Sequence, residues 1–198
     1  VESLKFFATL RQLAPTAEIA MLEANHEWRL PRDILLNHKH NFGLRAADDM
    51  EGDPLLSIPK MVGLKSVDVE YLPGYPRNTY WINDNLQIIH GDTAGRNVAK
   101  KVSQAEKVST IFGHTHRIDR HKETVNSRHG AEYLHTVNPG CLCRLDITPS
   151  VKGGYDLDGK AIEGKMMNWQ QGFLVVRHTD TWFDIQTVEI DTFNNYRA

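Results

Sequence analysis

Only two cysteines occur in the 198 residues, Cys141 and Cys143, one residue apart. A pair so close and so few excludes a disulfide framework, and reduced thiols are expected. Zinc on the Cys-x-Cys pair is the less favoured reading, because a structural zinc wants four ligands and the sequence holds no second pair. No apolar run approaches the roughly 18 residues of a membrane-spanning helix, and no charged-then-apolar leader opens the sequence. A cytoplasmic location without a membrane partner is therefore expected. Charge of neither sign dominates: the net charge is −2 with 24% charged and 40% hydrophobic residues, a composition unlike a disordered tail or a globally basic nucleic-acid binder. Any nucleic-acid affinity must come from a local patch. There is no internal repeat and no low-complexity segment. At 22.6 kDa one domain over residues 1–198 is expected, since the chain is long enough for one real core and short for two.

What the sequence does contain is three apolar, strand-like runs that each end in metal-ligand residue types. Ile111-Phe112-Gly113-His114-Thr115-His116-Arg117 places two imidazoles where a strand gives way to a loop, with Gly113 expected to turn the backbone sharply. Leu86-Gln87-Ile88-Ile89-His90-Gly91-Asp92 ends in His-Gly, and Ile19-Ala20-Met21-Leu22-Glu23-Ala24-Asn25-His26-Glu27 ends in Asn-His-Glu. Neutral imidazole is the commonest transition-metal ligand among side chains. In α/β folds ligand-binding residues collect at the carboxyl ends of strands, so the three ends together form a constellation.

On these residues the chain resembles the calcineurin-like metallophosphoesterases. Their ordered signature is Asp-x-His, Gly-Asp-x-x-Asp, Gly-Asn-His-Glu/Asp, a His, and Gly-His-x-His. The last three blocks are present in order, and Asn138-Pro139-Gly140 stands where such proteins often carry the same turn. The first two blocks are absent. The chain opens on Val1 and passes almost directly into helix-like sequence, so strand units bearing those blocks are expected upstream. Ala24 occupies a position where the family usually has glycine; a positive φ there would cost alanine roughly 1 kcal/mol or more.

The resemblance implies an α/β fold, a metallophosphoesterase-like β-sandwich flanked by helices with its N-terminal strand units missing. Periodicity fills in the remainder. A helix is expected over residues 2–13, a short strand over 17–22, and a helical cap insertion over about 28–77 containing helices at 33–42 and 55–62. Strands are expected at 67–71, 79–82 and 86–90, then a helix capped by Asp92 or Thr93 with Val98, Val102 and Ala105 as its apolar stripe. A strand at 108–112, a hairpin of 124–127 with 131–137, an irregular loop at 148–167 and strands at 172–177 and 181–190 complete the chain.

By the same resemblance Asn25, His90 and His114 match the ligands of one metal, and His116 matches a ligand of a second. His26 matches the acid that protonates the leaving oxygen, a role suited to a group titrating near neutrality. The ions would be two divalent cations, Mn²⁺ foremost, with Fe, Zn²⁺ or Ni²⁺ as alternatives. Two such ions generate hydroxide near neutral pH and hold charge on the attacking and leaving oxygens of a phosphoester, but they need a bridging carboxylate. That carboxylate belongs to an absent block, so Val1 to Ala198 alone would bind at most one ion, weakly. Arg29 and Arg117 are candidate substrate-binding residues. With Arg32, His38, Lys39, His40 and Arg45 on the cap, and Arg120, His121, Lys122 and Arg128 after the central motif, they form a prospective basic rim for a phosphodiester backbone. A metal-dependent phosphodiesterase or nuclease acting on DNA or nucleotides is the first functional expectation. A phosphomonoesterase acting on phosphoproteins or small molecules is the second, and an inactive metallophosphoesterase-like binding module the third.

Overall fold

The computed structural model describes residues 2–128, 130–143, 145 and 168–190. It is mixed α/β, and the chain divides into two compact units, Val1–Tyr80 and Trp81–Ala198. His129 and the whole of the loop expected at 148–167 lie outside the described residues.

In the first unit, helix α1 (Glu2–Leu13) has the bounds its periodicity predicts, yet none of its residues is fully buried. It is fastened by one side chain. The Arg11 guanidinium donates to the carbonyls of Val67 at 3.2 Å, Pro15 at 3.2 Å, Ala17 at 2.6 Å and Asp68, and pairs with the Asp68 carboxylate. Strand β1 is shorter than expected, Ala20–Leu22, and pairs in parallel with β2 (Glu70–Leu72) in the register Ala20↔Glu70, Met21↔Tyr71, Leu22↔Leu72. Between them lie α2 (Arg29–Asn37), a 3₁₀ turn at Lys39–Asn41, α3 (Ile58–Val62) and a 3₁₀ turn at Leu64–Val67. The segment is helical as expected, although its first helix begins four residues early because the turn after β1 runs directly into it. The buried apolar side chains here are Ile34, Leu64 and Val69 among the described residues.

The second unit is built on a sheet of order β3-β4-β5-β7-β6. These strands are β3 (Thr79–Asn83), within which the division into units falls, β4 (Leu86–Ile89), β5 (Ser109–Phe112), β6 (Ile118–Ser127) and β7 (Gly130–Pro139). β4, β5 and β7 run parallel, while β6 and β7 form an antiparallel hairpin longer than expected. β5 is buried along its whole length, as an apolar run between two neighbours should be. Helix α4 (Val98–Glu106) crosses from β4 to β5 and buries Val98, Ala99, Val102 and Ser103. Its stripe thus includes Ser103 and leaves Ala105 exposed. The cap also differs from expectation. Neither Asp92 nor Thr93 caps it; the Asp119 carboxylate of β6 accepts from the Ala99 N–H at 3.1 Å and satisfies an orphan donor of the first turn. A second antiparallel pair, β8 (Gln171–His178) with β9 (Phe183–Ile190), supplies Ile185 to a core of Leu86, Ile111 and Val137. On the α4 side Val98, Ala99, Val102 and Phe112 form a second cluster.

Candidate functional site

The parallel register pairs Ile89 with Phe112, so β4 and β5 end level with each other. The next residues, His90 and Gly113, are joined by the Gly113 N–H donating to the His90 carbonyl at 3.0 Å. This brings the His90 and His114 rings edge to face, 5.4 Å between centroids. At that spacing a nitrogen from each can approach one ion at the roughly 2.0–2.1 Å of a metal–imidazole bond. Gly113 is needed for a reason other than a turn: a Cβ there would meet His90 Nδ1 at 3.3 Å. The sharp backbone belongs to its neighbours, with φ of +70° at His114 and +56° at His116. Such left-handed non-glycine residues are rare and cost roughly 1–2 kcal/mol each.

Asn138, fully buried at the end of β7, holds this loop in shape. Its amide donates to the Gly113 carbonyl at 2.6 Å and to Thr115 Oγ1 at 3.1 Å, while its Oδ1 accepts from the Gly140 N–H at 2.9 Å. The Asn-Pro-Gly turn is therefore a positioning element for the histidine loop. The Nδ1 atoms of His114 and His116 are buried. His116 meets the Trp169 ring at 4.3 Å between centroids, and its carbonyl accepts from the Gln170 N–H at 3.0 Å.

Cys141 and Cys143, which the sequence left aside, come to the same loop. His116, Cys141 and Cys143 each offer a ligand atom within 4.8 Å of the others, and among the described residues no carboxylate joins His90 and His114 in a comparable group. The thiols are not oxidised to a disulfide. The Cys143 thiol donates to Cys141 Sγ at 3.2 Å, and burial with that contact pushes its pKa up to about 12. A Cys-x-Cys pair was a visible signal; its third member stands 25 residues upstream of Cys141 and only the fold reveals it.

Arg117 donates to the Gly95 carbonyl at 2.6 Å and lines a cavity of about 310 Å³ with Arg96, Asn97, Asp119 and Gln170. The rest of the prospective rim divides by strand alternation. Arg120 and Lys122 are exposed, Lys122 lying over the Tyr133 ring, whereas His121 turns with Asp119 and Glu123 to the α4 side. His121 thus leaves the rim, and its Nε2 stands 3.6 Å from the Glu123 carboxylate.

In the first unit Asn25 and His26 occupy a turn between β1 and α2, with His26 exposed and Arg29 exposed at the first position of α2. Glu27 closes the turn by accepting from the Ala24 N–H at 3.1 Å. Ala24 does not adopt a positive φ, so alanine costs nothing there. Behind the turn the buried Glu23 carboxylate accepts from the Gly74 N–H at 2.8 Å, the Tyr75 N–H at 3.0 Å and the Tyr71 hydroxyl at 3.1 Å. Burial and that carboxylate raise the Tyr71 pKa, keeping the phenol protonated.

No protein-family model matches the chain. No curated protein matches it either. Function is therefore read from the residues alone.

Proposed function

We propose that the chain is part of a metal-dependent phosphoester hydrolase, a phosphodiesterase or nuclease by preference, with the sandwich architecture of the calcineurin-like enzymes. The observation that carries this reading is the meeting of His90 and His114 at the level ends of two parallel strands. In the second unit His90 and His114 would hold one ion, and His116 is, by the resemblance, a ligand of another; Asn25 of the first unit is a ligand by the resemblance alone. A bound divalent cation supplies a nucleophilic hydroxide and neutralises phosphoryl charge. The imidazoles fit one such ion; the bridging carboxylate of a two-ion centre is not gathered with them among the described residues. By the resemblance His26, exposed in the turn after β1, is the proton donor to the leaving oxygen. Arg117 and Arg96, sharing one cavity, favour an anionic substrate. Each of the two arginines around this recess can bind phosphate oxygens as a planar fork.

The test is hydrolysis of a chromogenic phosphodiester and a matching monoester, with Mn²⁺ added, by a protein that carries the Asp-x-His and Gly-Asp-x-x-Asp blocks together with this chain. His114→Ala is expected to abolish metal-stimulated turnover and lower metal content. His26→Ala is expected to lower turnover by about 10²- to 10⁴-fold with metal content retained. Equal metal loss in both variants, or no metal-stimulated turnover in the parent protein, would falsify the assignment.

A further inference from the structure

From the geometry around Cys141 we infer that His116, Cys141 and Cys143 form a site for a thiophilic divalent cation, Zn²⁺, with its fourth position open to water or an oxygen ligand. This inference stands on the second unit alone; it assigns His116 to this ion in place of the hydrolase centre, to which it leaves His90 and His114.

The donor set comes first. Two sulfurs and an imidazole with all ligand atoms within 4.8 Å satisfy zinc and cobalt, whereas Mn²⁺ prefers oxygen. Cys₂His with three protein ligands is the count found where zinc keeps an exchangeable position. The separation of the sulfurs is that of two free thiols in contact, not of a disulfide. Their 3.2 Å lies above the roughly 2.05 Å of a disulfide. It lies closer to the roughly 3.8 Å that two thiolates at about 2.3 Å from one tetrahedral zinc require. A side-chain rotation of about half an ångström covers the difference. A disulfide, moreover, gives no role to the imidazole beside the thiols.

The site is also built from behind. Residues 168–172 run between the histidine loop and the cysteines: the Gln170 N–H donates to the His116 carbonyl, the Cys141 N–H donates to the Gln170 carbonyl at 2.9 Å, and the Gly172 N–H donates to the Cys141 carbonyl at 3.0 Å. The Gln171 amide donates to the Cys143 carbonyl at 2.7 Å, and Trp169 packs against the His116 ring. Gly140, at φ +89°, admits this crossing, since a Cβ there would run into the Gln170 carbonyl. One short segment thereby sets the positions of all three ligands. On binding, the two thiols release their protons to solvent and both sulfurs bond the ion.

The probe is Co²⁺, whose thiolate charge-transfer band reports sulfur ligation directly and cannot arise from His90 or His114. Titration of the reduced protein is expected to give that band with one cobalt per chain, together with the visible bands of a tetrahedral ion, and Zn²⁺ is expected to displace it. In the unmodified protein Zn²⁺ should also slow alkylation of Cys141 and Cys143 by iodoacetamide, read by mass spectrometry. Cys141→Ser with Cys143→Ser should remove the band. His116→Gln should weaken cobalt by more than the roughly 10- to 100-fold typical of losing an outer-shell partner. Cobalt bound without the charge-transfer band, alkylation equally fast with and without zinc, or unchanged affinity in His116→Gln would each overturn the assignment.

Discussion

In the first unit the polar side chains of Arg11, Glu23 and Asn78 tie separate segments together by hydrogen bonds, whereas in the second unit β4, β5 and β7 meet through buried apolar side chains. Arg11 reaches four carbonyls, and Asn78 donates to the Glu23 carbonyl at 2.9 Å and the Leu72 carbonyl at 2.8 Å. Among the described residues beyond Tyr80 the buried apolar ones are Leu86, Val98, Ala99, Val102, Ile111, Phe112, Val137 and Ile185. A non-directional core tolerates small shifts, whereas a hydrogen-bonded hub fixes geometry and fails when one member is lost. Each unit presents candidate site residues, and in each they are held by forces of a different kind.

The largest effect is expected from the apolar side. Phe112→Ala removes a fully buried ring and should cost the second unit about 3–5 kcal/mol. Denaturant unfolding followed by amide exchange along β4, β5 and β7 measures it, and a loss below about 1 kcal/mol would mean that the sheet does not depend on this core. Next comes the polar hub. Glu23→Ala strands the Gly74 and Tyr75 amides and the Tyr71 hydroxyl, at about 1–3 kcal/mol. Exchange at Gly74 and Tyr75 should quicken accordingly; if it does not, the contrast between the units fails.

The smallest effect is a pH dependence confined to the second unit. Burial lowers the pKa of His135, with the Lys122 and Arg120 charges acting in the same direction. The folded state therefore binds fewer protons than the unfolded one below the ordinary histidine value of about 6.5. The stability due to neutral His135 is present above that value and is lost as pH falls through the lowered one. His135→Gln should flatten this portion of the stability curve, and an unchanged curve would show that another group titrates there.

Apolar periodicity and chain direction were legible in the sequence. The bounds of α1, the strand β5, the helix α4 between β4 and β5 and the placing of His90 and His114 at strand ends all follow from runs of apolar residues bounded by glycine or polar turns. Polar contacts between distant positions were not. Asp119 caps α4 from β6, Asn138 secures a loop 25 residues earlier, and His116 completes the Cys-x-Cys pair. None of these leaves a period in the sequence, because each depends on which strand end lies beside which. His121 shows the complementary limit: a cluster of basic letters became two faces once Ile118–Ser127 proved to be a strand.

The left-handed backbone at His114 and His116 makes shape and chemistry separable in that loop. Glycine adopts φ near +60° without strain. Replacing either histidine by glycine therefore keeps the trace of the loop, relieves its conformational cost and removes only the ring. The hole left behind has the dimensions of a small heterocycle, so free imidazole added to a His116→Gly protein has a place to sit and a ligand to replace. A β-branched substitute offers no such chemical rescue, because it disturbs the chain path together with the donor.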